Sequence, residues 1–154
     1  MHIRDFEKVM CSIVHLHLGV HYKTTDSEDY GTLEAITEHY NKHGALMVWN
    51  GASDNTIFSA PEFNWVFRAW HDWHHIRMQA AFDTDGERAV AMAQIDDVLR
   101  YVDDTELALY MIMLIQAEVN GQVDHLNTTG SFVEDQRSFT VNYVRCKYNR
   151  FINI

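Results

Sequence analysis

The chain has 154 residues, 47% hydrophobic and 12% aromatic, which suits a packed core and argues against disorder. Its formal charge is −10 with neutral histidines, which argues against a nucleic-acid footprint and a polybasic membrane signal. The small basic group Arg145, Lys147 and Arg150 does not alter that balance.

One proline and seven glycines leave long stretches free to be helical, and the pattern predicts an all-α fold, residues 1–154 forming a single compact bundle of about five or six helices. Ile3, Phe6, Met10, Val14 and Leu18 recur at helical period, so a first helix is expected over Ile3–Val20, with His15, His17 and His21 as surface residues at its end. Lys23–Asp29 reads as a loop and Tyr30–Lys42 as a second helix, stopped at His43-Gly44. Ala45–Trp49 is strand or connector, and Asn50–Thr56 is the richest turn signal. Ser59 or Ala60, with Pro61 in the first turn, opens a central helix. Phe82–Gly86 is a break in which Asp83, Thr84 or Asp85 can cap a helix from Glu87 to Val102. Asp103-Asp104-Thr105 caps the next helix, from Glu106, whose apolar run Leu107–Ile115 is expected innermost. That helix loosens at Gly121, reaches His125 or Leu126, and turns at Asn127–Gly130. A terminal helix is expected within Phe132–Phe151.

The longest apolar run spans about half a membrane thickness, and the first residues, Met-His-Ile-Arg-Asp-Phe-Glu, hold no apolar signal core. Cys11 and Cys146 have no CxxC spacing, so neither a disulfide framework nor a zinc knuckle is indicated. Free thiols in a reducing, cytoplasmic compartment are the expectation.

The chemistry concentrates in Asn64–Met78, which carries the pattern HDxxH at His71, Asp72 and His75. On a helix, Asn64, Arg68, His71, Asp72 and His75 fall within one arc of about 100°, while Phe63, Phe67, Trp70 and Trp73 cover much of the rest. Such an arc is either a solvated face or the wall of an internal site. Imidazole nitrogen with carboxylate oxygen suits a divalent zinc, iron or manganese ion. One helix supplies two or three ligands, so others must come from neighbours. Glu87 and Gln94 share one face; Glu118, Gln122 and His125 share another, beyond an apolar run. The expected metal set is therefore His71, Asp72, His75 and His125. Glu87 or Glu118 then completes the shell or acts as general base, and Arg68 orients a carboxylate or binds an anionic substrate. His74, beside the arc, reads as a packed histidine. No GxSxG, glycine-rich phosphate loop or GxGxxG occurs. Membrane and nucleic-acid partners are not expected, and the aromatic load is compatible with a homo-oligomer.

Three resemblances bear on function. His71-Asp72 resembles the doublet of HD-domain metal-dependent phosphohydrolases, which implies His39 or His43 as first histidine and Asp124 as final aspartate. The run Asn64-x-x-Phe-Arg-Ala-Trp-His-Asp-x-x-His75, with Phe82, Gly86-Glu87 and Gln94, resembles a group of uncharacterised small phage and environmental proteins. That resemblance implies a metal site at His71, Asp72, His75 and Glu87 without naming a reaction. Asp72-x-x-His75 resembles one half of a ferritin-like di-iron pair, but no second ExxH is present. The expectation is a metal-dependent hydrolase of a phosphorylated or nucleotide-like small molecule. The other class open to the sequence is a non-catalytic phage accessory or interaction protein with the same residues in a satisfied polar core.

Overall fold

The computed structural model describes residues 2–150, and they form a mostly helical architecture with one small sheet. Helix α1 (Ile3–Ser12) runs on through a π-helical turn, Ile13–His17. Strand β1 (Tyr22–Thr25) follows, then α2 (Leu33–His43) and strand β2 (Leu46–Trp49). Next come α3 (Pro61–Met78), α4 (Thr84–Tyr101) and α5 (Thr105–Ile115). A second π-helical segment, Gln116–Gly121, joins α5 to α6 (Gln122–Thr129) without a break, and α7 (Gln136–Tyr148) ends the described chain. Six continuous helical rods result among the described residues. The Phe151 end of the expected terminal helix lies outside them.

The helix ends follow ordinary capping chemistry. Side chains of Thr32, Asp83, Asp104 and Asp135 accept from the backbone N–H of Ala35, Gly86, Leu107 and Ser138. The start of α3 is held differently. The buried Glu7 carboxylate accepts from Ser59 N at 2.6 Å and Ser59 Oγ at 2.8 Å, tying α1 to the residues just before Pro61. An acid at a helix N-terminus meets unpaired N–H groups and the positive end of the dipole.

Two expectations need correction. The expected loop from Lys23 begins as a strand: Tyr22–Thr25 pairs in parallel with Leu46–Trp49, with Tyr22 opposite Leu46 and Thr25 opposite Trp49. Its sequence, Tyr-Lys-Thr-Thr, has no apolar alternation because backbone pairing, not a buried face, holds it. The run in α5 buries Met111, Leu114 and Ile115 completely, yet Leu109 stays 56% exposed, so this helix lines the core on one side only.

At the centre α3 meets α1, α2, α4 and β2. Phe67 packs its ring 5.5 Å from Phe58 and 6.4 Å from Phe6, and Trp70 stands edge-on to Phe67 at 6.3 Å. The indole N–H of Trp70 donates to Asp97 at 2.8 Å, and His74 Nε2 meets the same oxygen at 2.7 Å. His74 is thus the packed histidine the sequence suggests. Apolar burial on this scale fixes α3 rigidly, since each large side chain contributes about 1.5–3 kcal/mol. No helix among the described residues is long and apolar enough to cross a membrane.

Candidate metal centre

Side chains four apart on a helix project within about 40° of each other, so α3 presents His71 and His75 side by side. His75 is fully buried and its Nδ1 lies 2.8 Å from the Ala80 carbonyl. A carbonyl only accepts, so Nδ1 carries a hydrogen and Nε2 is the atom that faces His71 and Glu87. The turn that brings Ala80 back is made by Gln79 in the left-handed region, φ 52°, and Ala80 N also donates to the His75 carbonyl at 3.0 Å.

The same turn delivers the third donor. A Cβ on Gly86 would sit 1.9 Å from the Ala81 carbonyl oxygen, so only glycine lets α4 start this close to the end of α3. One residue later, Glu87 places Oε2 2.9 Å from His71 Nε2 and Oε1 3.5 Å from His75 Nε2. The two Nε2 atoms are 3.0 Å apart. Gln94, two turns along α4 and fully buried, sets its Oε1 3.3 Å from His71 Nδ1, while its Nε2 has no partner.

Three atoms that can each offer a lone pair therefore converge. Such a set is repulsive unless a proton or a cation lies among them. An ion with ligand bonds of about 2.0–2.1 Å in tetrahedral geometry spaces neighbouring donors about 3.3 Å apart, close to the separations here. His71, His75 and Glu87 form a group that can hold a metal ion. The anchors on Nδ1, the Ala80 carbonyl and Gln94, orient the imidazoles as metal-bound histidines require.

The titration behaviour agrees with this geometry. Burial works against protonation of His71, but the hydrogen bond to Glu87 and the charges of Glu87 and Asp72 raise its pKa. Burial pushes Glu87 up, yet hydrogen bonds from His71 and His75, and their charges, hold it down at about 2.

His71 and Glu87 open onto a cavity of about 680 Å³, while His75 closes the site from behind. Asp72 lines the cavity but is not in the donor group. Being one residue from His71, it is turned about 100° around the helix. Burial pushes its carboxyl up to about 6, opposed by His71, His75 and Arg68. Glu118, on the π-helical segment after α5, accepts from the Thr140 hydroxyl and from Gln122 Nε2 at 3.2 Å. It is buried, and burial raises it to about 7 against the pull of Thr140 and the Arg68 charge. Arg68 spends both hydrogens of one guanidinium nitrogen on the Trp49 and Gly51 carbonyls, each at 2.7 Å, and stacks over Trp49 at 5.2 Å.

Other expected residues lie elsewhere. His125 does not join the donor group and packs edge-on against Phe139 at 5.5 Å, because the helix that carries it turns that face to α7. Asp124 pairs with Arg88 in solvent at 2.8 Å. His39 bonds the Ala45 carbonyl at 2.9 Å and packs against His43. His15 and His17 are exposed, stacked on Tyr22 and Tyr101, and His21 is exposed. The contribution of Ala80 was invisible in the sequence, since it is made by the backbone. Gly86 did leave a trace, but the sequence places it in the break before Glu87, whereas α4 starts at Thr84 and holds it in the first turn.

Comparison of the chain with protein-family models, with curated proteins and with solved structures finds no match.

Proposed function

We propose that this protein is a metal-dependent hydrolase of a small molecule, working with one divalent ion on His71, His75 and Glu87. The observation that carries the reading is the convergence of two Nε2 atoms and one carboxylate at the edge of a cavity. Two histidines and a glutamate on one ion leave a coordination position for water, and zinc is the ion whose catalytic chemistry this donor set best fits. Held by His71, His75 and Glu87, such an ion would supply water activation near neutral pH. Glu87 serves as ligand, so the proton-transfer role falls to Glu118, which lines the same cavity and titrates near neutrality. Asp72 and Glu118 face the charge of Arg68. That arrangement favours one ion over a di-iron pair.

Elemental analysis of untagged protein tests the reading, with about one divalent ion per chain expected and none expected in the His71→Ala/His75→Ala variant. Absence of any ion, with melting unchanged by chelator, would overturn it. The group would then be a proton-satisfied polar core of a non-catalytic protein.

A further inference from the structure

The sequence pattern pairs Arg68 with a phosphorylated substrate, but the cavity is built with the opposite polarity. Resting on the metal reading above, we propose that the cavity takes an uncharged or cationic small molecule with an apolar body, an amide or ester rather than a phosphate ester. Asp72, Asp83, Glu87 and Glu118 all line it, and among the described residues Arg68 is the one lysine or arginine that does. A divalent ion and Arg68 together balance three of those four carboxylates, and Glu118 is the fourth. A dianionic phosphate monoester would therefore enter with no surplus positive charge to meet it, in a partly dehydrated space where charges act strongly on one another.

Arg68 does not correct the balance. A phosphate is gripped by parallel N–H donors along one edge of the guanidinium. Here both hydrogens of one terminal nitrogen go to the carbonyls of Trp49 and Gly51 and the ring of Trp49 lies along the group's face, so one of the two edges, that of Nε and the other terminal nitrogen, is left. The charge that remains is felt by Asp72 and Glu118. Arg68 fastens α3 to Trp49 at the end of β2 and to Gly51 beyond it, and its charge is shared with Asp72 and Glu118.

The rest of the lining is apolar. Phe67, Val119, Val123 and Leu126 line the cavity, together with Phe132, 80% exposed, and Phe82, 39% exposed and packed 4.2 Å from the His75 ring. A flat or aliphatic body in the cavity would cover this apolar lining. Carboxylates and aromatic rings in one lining suit an amine or a neutral amide, since ammonium groups are attracted by both.

Three phenyl compounds of similar size separate the possibilities: benzamide, benzylamine and phenyl phosphate. Zinc-loaded protein, its metal content measured beforehand, is titrated with each by calorimetry. Benzamide and benzylamine are expected to bind at least about tenfold more tightly than phenyl phosphate, a difference of about 1.4 kcal/mol. Glu118→Gln is expected to narrow that gap while zinc content stays at one per chain. Phenyl phosphate binding as tightly as the other two, or binding of none of the three, overturns the proposal. Failure to take up zinc is read before any titration and overturns the metal reading on which it rests.

Discussion

Glu87 and Glu118 line one cavity with the same side chain, yet one is held at about 2 and the other pushed to about 7. Burial pushes both upward. The difference lies in what answers the charge: Glu87 receives hydrogen bonds and positive charge from His71 and His75, whereas Glu118 receives a hydroxyl from Thr140, an amide from Gln122 and the charge of Arg68. Neutral donors and one guanidinium leave the desolvation of Glu118 largely uncompensated. Two environments thus divide the labour of two carboxylates, a ligand that stays ionised and an acid that can give or take a proton.

The largest expected break in this comparison is at His75. Replacing it by alanine removes a donor, leaves the Ala80 carbonyl without its side-chain partner and leaves Glu87 with His71 alone. Metal affinity is expected to fall by on the order of 100-fold or more, measured by competition with a chromogenic chelator. Retention of parental affinity would mean that the site is elsewhere. Gly86→Ala attacks the same corner without touching a donor. Its methyl must displace the Ala81 backbone, so destabilisation of about 1–3 kcal/mol is expected in urea unfolding. Metal binding should weaken with it, because the Ala80 turn and Glu87 move together.

The two carboxylates should also give the metal-free protein opposite pH slopes. Glu87, lowered to about 2, contributes stability that is present above its unfolded pKa of 4.5 and lost as pH falls toward 2. Glu118, raised to about 7, favours the folded state when protonated, so stability is lost as pH rises from 4.5 through 7. Each effect is on the order of 1–3 kcal/mol. Glu118→Gln removes the second slope alone: the variant should match the parent at pH 4 and exceed it by about 1–2 kcal/mol at pH 8, measured by urea unfolding. Equal stability of the two proteins at pH 8 would mean that Glu118 is solvated and titrates normally.

How much of this was legible in the sequence follows from how each interaction is built. The helices were readable because apolar spacing, Pro61 and the aspartate caps are local signals, and the donors on α3 were readable because residues four apart always share a face. Asp72 was assigned to the ion because it shares the arc, but an angular arc does not say which member a neighbouring helix meets. Only the packing of α4, set by Gly86, singles out His71, His75 and Glu87. His125 failed for the same reason, its stripe being turned to α7 by contacts far away in sequence. Strand β1 and the Ala80 carbonyl were unreadable because backbone groups make both, and every residue has those.

The smallest expected effect fixes what the comparison depends on. Arg88 and Asp124 approach to 2.8 Å, as close as His71 and Glu87 at 2.9 Å, but their side chains are 53% and 55% exposed. Water solvates both partners whether or not they meet, so little is gained by pairing and little desolvation has been spent. Arg88→Ala should change stability by no more than about 0.5 kcal/mol and leave metal uptake unaltered, measured by urea unfolding and elemental analysis. A loss as large as that predicted for Glu87 on acidification would show that proximity, and not burial, sets the strength of these charges. The contrast between Glu87 and Glu118 would then need another cause.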